Sequence, residues 1–168
     1  MGDIDPALGI SVDFPEQTFR NAITFPDAIR RLAEVRLGHP LPSLADCRDV
    51  DLAWLAGLYE GEGSVSAIHR AGDRIGAPRL CVVIGMTDYD VIERAQQVVA
   101  MGRIFGPYSQ GKYPRAKPMW QWRVQRADQA TALLLALWPW LHARRRSAAA
   151  NKIGEWLDHK DRRRRGNH

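Results

Sequence analysis

The sequence contains little cysteine and no long apolar run. Its two cysteines, Cys47 and Cys81, form neither a CxxC pair nor a disulfide framework, which excludes a zinc finger and a thioredoxin-like protein. We expect both to be reduced structural thiols. The longest uncharged stretch of the C-terminal half, Gln129 to Ala143, is shorter than the roughly 20 apolar residues of a membrane span. The N-terminus carries acids where a secretory signal would carry Lys or Arg, so we expect a cytoplasmic protein that is not secreted.

Acidic residues are scarce in the C-terminal part of the chain. Residues 1–100 contain nine Lys/Arg and fifteen Asp/Glu, whereas residues 101–168 contain fifteen Lys/Arg and four Asp/Glu. A basic half in a chain of net charge +5 is typical of proteins that bind polyanions, because each neutralised phosphate releases counterions. A well-solvated basic surface would explain the same charge, so charge alone does not decide between the two.

The length of 168 residues fits one domain with an extension. Five of the ten prolines lie in the first 50 residues, where Thr24-Phe25-Pro26-Asp27 predicts a helix start and Gly38 its end. We therefore predict three parts. They are an N-terminal extension with a short helix and a Pro-rich linker (1–48), a main domain (49–160) and a basic tail (161–168).

The main domain is predicted to alternate helices with pairs of strands. Helical periodicity at Val91, Ala95, Val98 and Val99 and strict alternation around Trp120 and Trp122 are the clearest signals. Asp49 or Asp51 would cap the first helix, and Gly102 would end the second. The predicted elements are a helix Leu52–Glu62, strands Ser64–His69 and Arg79–Met86, a helix after Thr87-Asp88, strands Arg103–Tyr108 and Met119–Gln125, and helices Ala127–Trp138 and Ala143 onward. This order predicts an α+β fold with an antiparallel sheet.

The first helix of this domain carries small residues every four positions and ends in two acids. Ala53, Gly57 and Gly61 form a smooth stripe, and because glycine costs about 1 kcal/mol relative to alanine in a helix interior, close helix packing is the natural compensation. Glu60 and Glu62 lie where the helix dipole disfavours negative charge. If the packing partner is the same helix of a second subunit, a two-fold axis brings two carboxylates together, and oxygen ligands alone select Mg²⁺ or another hard divalent ion.

The segment Leu55-Ala56-Gly57-Leu58-Tyr59-Glu60-Gly61-Glu62-Gly63 resembles the signature of the LAGLIDADG homing endonucleases. The resemblance covers about residues 50 to 157. It includes the αββαββα order, the apolar second strand, the turn from Gly102 to Gly106, and Pro139-Trp140-Leu141 followed by three arginines. Taken without this context, Glu-Gly-Glu-Gly would be no more than a polar helix exit.

The resemblance implies a LAGLIDADG endonuclease-like α+β fold whose antiparallel sheet forms a DNA-binding saddle. It implies that Glu62 binds the catalytic metal, with Gly61 beside it in the metal site and Glu60 as the less critical acid. The metal would be Mg²⁺, with Mn²⁺ as a possible substitute. Ala53, Gly57, Leu58 and Gly61 would form the dimer interface. Because the chain holds a single motif, it would act as a homodimer on a palindromic or pseudo-palindromic DNA target.

Two accessory catalytic residues are suggested by the same resemblance. Asp88 and Arg126 lie roughly where the family often carries a polar and a basic residue that order water at the cleaved phosphate, although the commoner residues there are Gln and Lys. Asp88 would serve equally well as a helix cap. Arg126 would serve equally well as a surface charge.

DNA contacts are predicted on the solvent-facing positions of the strands and in the two hairpin loops. Arg can read guanine and Gln can read adenine in the major groove, whereas loop charges suit phosphates. The predicted DNA-binding residues are Ser64, Ser66, Ile68, Arg70, Arg74, Arg79, Cys81, Lys112, Arg115, Lys117, Gln121, Arg123 and Gln125.

The sequence thus predicts a Mg²⁺-dependent, site-specific homing endonuclease that makes a double-strand break, of the kind that moves introns or inteins. It would be found wherever its target DNA lies, including an organelle or a nucleoid. Two alternatives remain on the same fold: an RNA-binding cofactor (maturase) that helps splice a structured intron RNA, and a sequence-specific DNA-binding regulator that does not cleave. The two acids at the end of the motif favour the nuclease over the regulator.

Overall fold

From residue 25 onward the described residues form two layers, a four-stranded antiparallel sheet and helices packed on one of its faces; residues 4–5 and 10–11 form a separate two-stranded sheet. The computed structural model describes residues 4–5, 10–11, 25–68, 78–109 and 116–165, with side chains from 26 to 158 within those ranges. In these residues the elements are β1 (Ile4–Asp5), β2 (Ile10–Ser11), α1 (Phe25–Leu37), α2 (Asp49–Glu62), β3 (Gly63–Ile68), β4 (Arg79–Met86), α3 (Tyr89–Val99), β5 (Arg103–Tyr108), β6 (Met119–Val124), α4 (Ala127–Leu137), a 3₁₀ turn (Trp138–Trp140) and α5 (Ala143–Arg165).

The sheet has the strand order β3-β4-β6-β5, so the two predicted hairpins lie side by side through β4 and β6. Its register is set by rows of paired residues, such as Ile84 with Gly63 on one side and with Trp122 on the other. Because side chains alternate between faces, all residues of such a row share a face. The apolar rows face the helices, as the alternation in the sequence predicts.

The core contains residues from every helix, including the N-terminal one. Ile29, Leu32 and Ala33 of α1 are buried in the same cluster as Trp122 of the sheet. Arg36 of α1 donates a hydrogen bond of 3.2 Å from Nη1 to the carbonyl of Leu157 in α5. The predicted extension is therefore packed against the main domain through its helix.

Several element ends differ from the sequence-based expectations. Arg48, and neither Asp49 nor Asp51, occupies the N-cap of α2, and Asp51 instead bonds the Arg48 side chain at 2.7 Å. Helix α3 ends at Ala100, which adopts a left-handed φ of 49° while its N–H donates to the Gln96 carbonyl, two residues before the predicted end. Helix α5 continues through Arg165 and so runs into the charged end of the chain, as the sequence predicts.

Gly102 has a different reason to be glycine. Its φ is 74°, and a Cβ there would lie 2.6 Å from the carbonyl oxygen of Arg123 and 2.7 Å from the indole nitrogen of Trp122. The turn into β5 therefore depends on the absence of a side chain. Within the described residues, no helix is both long enough and apolar enough to cross a membrane.

Candidate functional site

One face of the sheet, which we call the polar face, is turned away from the helices. The strand register places on it Ser64, Ser66, Ile68, Arg79, Cys81, Val83, Gly85, Arg103, Phe105, Gln121 and Arg123. None of these residues is acidic. The polar face is therefore a surface of positive charge and hydrogen-bonding groups, as binding to a polyanion requires.

The strand residues predicted to bind DNA fall on this face. The row Ser66–Cys81 pairs β3 with β4, and Val83–Arg123 pairs β4 with β6. Gln125 follows β6 and is exposed. The exception in accessibility is Cys81, of which only 2% is exposed, so that a direct contact of its side chain with DNA is not supported. Burial raises the pKa of this thiol, against the lowering effects of Arg123 and of a hydrogen bond with Gln125.

The predicted loop contacts are mostly not covered by the structure. Arg70, Arg74, Lys112 and Arg115 lie outside the described residues. Lys117 is described and exposed, two residues before the start of β6.

Four arginines surround a concavity of about 690 Å³ at one end of the polar face. Arg103 pairs with Arg123 across β5 and β6, Arg79 begins β4, and Arg126 follows β6. Arg103 was not among the predicted DNA-binding residues. The alternation of Arg103 and Phe105 in β5 was the available signal, but only the register shows that Arg103 shares the face of Arg123.

The other part of the candidate site is the C-terminal end of α2. Glu62 is exposed, and its carboxylate has no hydrogen bond or ion pair within the part of the chain that the structure describes. Gly63 begins β3 directly, and its N–H donates to the Tyr59 carbonyl. A Cβ on Gly63 would overlap the Tyr59 ring and lie 2.6 Å from the Tyr59 carbonyl oxygen. Close packing of Gly63 on Tyr59 therefore fixes the position at which α2 ends and from which Glu62 projects.

Glu60 has a separate structural role. Its Oε1 accepts a hydrogen bond of 2.7 Å from the backbone N–H of His142, at the start of α5, and lies 3.6 Å from the His142 ring. Arg145 donates to the Glu60 carbonyl oxygen from Nη2 at 2.7 Å and from Nε at 3.2 Å. A carboxylate at a helix N-terminus and a cation at a helix C-terminus are both favoured by the helix dipoles.

Tyr59 is buried at the same junction between the end of α2 and the start of α5. Its ring is fully buried, with the Arg145 guanidinium carbon 5.3 Å from the ring centroid. Burial raises the pKa of Tyr59 to about 12, with Arg145 lowering it and Glu60 raising it, so the phenol stays neutral.

The small-residue stripe of α2 is open along part of its length. Gly57 and Gly61 are both exposed, and a Cβ at either position would meet no heavy atom within 4 Å. Ala53 and Leu58 are half-buried. Within a single chain, then, no described residue packs closely on the two glycines.

The two predicted accessory residues follow the two central strands of the sheet and lie at opposite ends of these strands. Asp88 follows the C-terminal end of β4, which is the end of the sheet where α2 ends. It occupies the N-cap of α3 but makes no side-chain capping bond, and it is exposed. Arg126 lies beyond Val124, four residues along β6 from the row that contains Gly63, which is about 13 Å in the strand direction. The structure therefore does not bring Arg126 to Glu62 of the same chain.

Arg126 is also engaged elsewhere. Its Nη2 and Nε donate to the two carboxylate oxygens of Asp128 at 2.7 and 3.2 Å. Burial disfavours the charged form of Asp128, but hydrogen bonds from Arg126 and from backbone N–H groups outweigh it and lower the pKa of this carboxyl.

Solved structures of homing endonucleases are similar to this fold. The homing endonuclease I-CvuI in complex with its target matches with a TM-score of 0.52 and 20% identity over 67% of this chain and 71% of that chain. The group I intron-encoded I-CeuI complexed with DNA matches with a TM-score of 0.52 and 14% identity over 90% of this chain and 71% of that one. The LAGLIDADG meganuclease I-CpaMI bound to uncleaved DNA matches with a TM-score of 0.50 and 17% identity over 64% and 35%.

These similarities establish the α+β LAGLIDADG endonuclease-like fold that the sequence predicts. No protein-family model matches the sequence, and no curated protein matches it.

Proposed function

We propose that the chain is a homodimeric, metal-dependent DNA endonuclease of the LAGLIDADG type, which makes a double-strand break in a palindromic or pseudo-palindromic target. The observation that carries this proposal is Glu62. It is an exposed carboxylate without a partner among the described residues, at the end of a glycine-striped helix and beside a cationic sheet face. The complexes of I-CvuI and I-CeuI with DNA support the same use of the fold.

The open stripe supports a second copy of the chain as the packing partner of α2. A stripe that presents no Cβ allows two helix backbones to approach closely, which offsets the cost of glycine in a helix. In a two-fold arrangement both subunits use the same residues at the interface, namely Ala53, Gly57, Leu58 and Gly61. Both copies of Glu62 would then lie near the axis, facing the same DNA.

The donor set at the end of α2 fits a hard divalent cation. The described residues contain no cluster of three or more His, Cys, Asp or Glu, which fits Mg²⁺ because this ion commonly uses one or two carboxylates and takes its remaining ligands from water and phosphate. Glu62 would hold the metal with its carboxylate, and Gly61 with a carbonyl in the last helical turn, where carbonyls lack an intrahelical partner. When bound, Mg²⁺, or Mn²⁺ in its place, would neutralise charge on the cleaved phosphodiester and activate water.

The remaining predicted residues would bind and orient the DNA. The strand residues predicted to read bases, apart from the buried Cys81, would contact bases; they are Ser64, Ser66, Ile68, Arg79, Gln121, Arg123 and Gln125. Lys117 and the loop residues Arg70, Arg74, Lys112 and Arg115 would contact phosphates. Asp88, at the same end of the sheet as Glu62, would orient water. Arg126, at the opposite end of the sheet, would contact a phosphate distant from the cleaved bond.

Selection of cleaved sites from a randomised DNA library with Mg²⁺ tests this proposal. Wild type should enrich a sequence with two symmetry-related halves. Glu62→Gln should bind the enriched DNA with similar affinity but cut it at least about a hundredfold more slowly, because the metal loses its charged ligand. Glu60→Gln is the matched control, since it makes the same chemical change two residues away and keeps the acceptor for His142.

The possible results separate the proposal from its alternatives. Undiminished cutting by Glu62→Gln would remove this residue from the mechanism. Specific DNA binding by wild type without cutting would point to a regulator, and Mg²⁺-stabilised binding to a structured intron RNA would point to a splicing cofactor. A monomer on DNA in equilibrium sedimentation would contradict the two-fold arrangement.

A further inference from the structure

Arg123 lies on the polar face, and its guanidinium is hydrogen-bonded to two neighbours, Gln121 and Tyr108. Nε and Nη2 donate to Oε1 of Gln121 at 3.0 and 2.6 Å, and Nη2 also donates to the Tyr108 hydroxyl at 3.3 Å. Gln121 precedes Arg123 by two residues on the same strand, while Tyr108 comes from β5. The side chain is therefore tied to both strands of its hairpin.

Aromatic rings support the same guanidinium. The guanidinium carbon of Arg123 lies 4.9 Å from the centroid of Phe105 and 5.7 Å from that of Tyr108. A cation over an aromatic face is stabilised by the ring quadrupole. Together with the hydrogen bonds, this contact reduces the rotamer freedom that a long side chain would lose on binding.

The hydrogen bonds between Arg123 and Gln121 also decide which of their hydrogen-bonding groups remain free. Arginine has only donors, so Gln121 can contact it only through its carbonyl oxygen. That oxygen accepts both bonds from Arg123, which leaves the Gln121 amide with its two Nε2 donors. Nη1 of Arg123 has no hydrogen bond among the described residues, so it too offers only donors. The pair therefore presents donors, and no amide acceptor, to whatever binds the face.

We propose that Arg123 and Gln121 act together as a reader of guanine in the major groove, one pair in each half-site. This inference rests on the proposed DNA binding. Guanine offers two acceptors there, N7 and O6, which match a surface of donors. Adenine offers N7 but also an N6 donor, and the Gln121 oxygen that would accept from it is already occupied. The structure thus replaces the reading of adenine by Gln121, which the sequence alone allowed, with a reading of guanine by the pair.

Gly85 leaves room for the side chain of Gln121 on the neighbouring strand. It pairs with Gln121 across β4 and β6, and a Cβ there would lie 3.3 Å from Cγ of Gln121. A side chain at this position would press on the glutamine that holds Arg123. Glycine at this position, the last but one of β4, therefore leaves room for the glutamine that holds Arg123.

Binding selection from a randomised DNA duplex library, followed by sequencing, tests the inference independently of cleavage. The wild-type consensus should contain a guanine position in each half that Arg123→Leu loses, with the other positions unchanged. The preference for guanine at that position should fall about tenfold or more. Arg123→Lys keeps the charge and can still donate to guanine, but it lacks the planar fork that Gln121 and Tyr108 hold in place. It should therefore weaken this preference less than Arg123→Leu does, and it should keep the salt dependence of binding.

Two further variants separate reading from charge. Arg103→Leu removes the same charge from the residue paired with Arg123, and it should weaken binding to all sequences without changing the consensus. Gln121→Glu keeps an acceptor for Arg123 but removes the outward donors. It should therefore lower the preference for guanine at the position that Arg123→Leu alters, because one of the two groups that donate to guanine is lost.

The outcomes distinguish this inference from the proposed function. A consensus that Arg123→Leu and Arg123→Lys leave unchanged would overturn the inference while DNA binding stands. An adenine at the position that Arg123→Leu alters would overturn it as well. Failure of the folded wild type to enrich any DNA would overturn the proposed function and this inference with it. Circular dichroism of each variant confirms that it is folded.

Discussion

The backbone N–H of His142 donates a hydrogen bond of 2.7 Å to Oε1 of Glu60, so that a carboxylate at the end of α2 caps the start of α5. Glu62, two residues further on, has no such partner among the described residues and is exposed. Two acids that look equivalent in the sequence thus have different environments. One joins two helices, and the other is free to bind a ligand.

Glu60→Ala should destabilise the protein by about 0.5–2 kcal/mol, because it removes the acceptor at the start of α5. Glu60→Gln should cost less, since it keeps an acceptor and loses only the favourable charge at the helix N-terminus. Urea denaturation measures both. Equal losses for the two variants would show that the hydrogen bond to His142 contributes little.

Gly63→Ala should destabilise the fold by about 1–3 kcal/mol, because the new methyl group overlaps the buried Tyr59 ring and lies 2.6 Å from the Tyr59 carbonyl oxygen. The backbone of Gly63 is extended, with φ of −84°, so the effect would come from crowding alone. Thermal unfolding of the variant measures it. An unchanged melting temperature would mean that the packing of Tyr59 relaxes easily.

Gly57→Ala and Gly61→Ala should have the opposite effect on the isolated chain. A Cβ at either position meets nothing within 4 Å, so alanine should stabilise the helix by up to about 1 kcal/mol. The same methyl groups should weaken self-association in sedimentation equilibrium, because they separate the two helix backbones. Association as tight as that of wild type would show that the stripe is not the dimer interface.

Trp122→Phe should destabilise the fold by about 1–3 kcal/mol. The buried indole N–H donates a hydrogen bond of 2.8 Å to the Met101 carbonyl, and phenylalanine would leave that acceptor unpaired while removing ring volume. The denaturant midpoint measures the loss. Trp120→Phe, on a half-buried ring of the same strand, is the control and should cost less.

Asp128 should make stability depend on pH in the acid range. Its pKa is lowered from the ordinary value of 3.8, so its contribution is present above that value and is lost as the pH falls through the lower, folded-state pKa. The difference in unfolding free energy between wild type and Asp128→Asn should therefore shrink below about pH 4. Arg126→Met removes the bidentate hydrogen bonds and should weaken the same dependence. A difference that stays constant down to about pH 3 would contradict the assignment.

Local patterns were sufficient to predict much of the fold. Alternation over Met119–Val124 and helical spacing in Tyr89–Val99 are properties of neighbouring residues, and the strands and helices form close to where these patterns predict them. Helix ends were less predictable. Arg48 occupies the N-cap of α2 and Ala100 the C-cap of α3, although Asp and Gly are the residues ordinarily preferred at such positions.

The sequence by itself determined the order of helices and strands, the position of the motif helix and which residues within one strand share a face, because periods of two and 3.6 residues are fixed by backbone geometry. The tertiary structure decided what each polar group is free to do. Glu60 is occupied because a residue 82 positions away begins a helix beside it. Cys81 is buried although its strand position predicts an outward side chain. Gln121 loses its acceptor to Arg123, two residues along the same strand, since the partner that a side chain takes is known only once the side chains are placed.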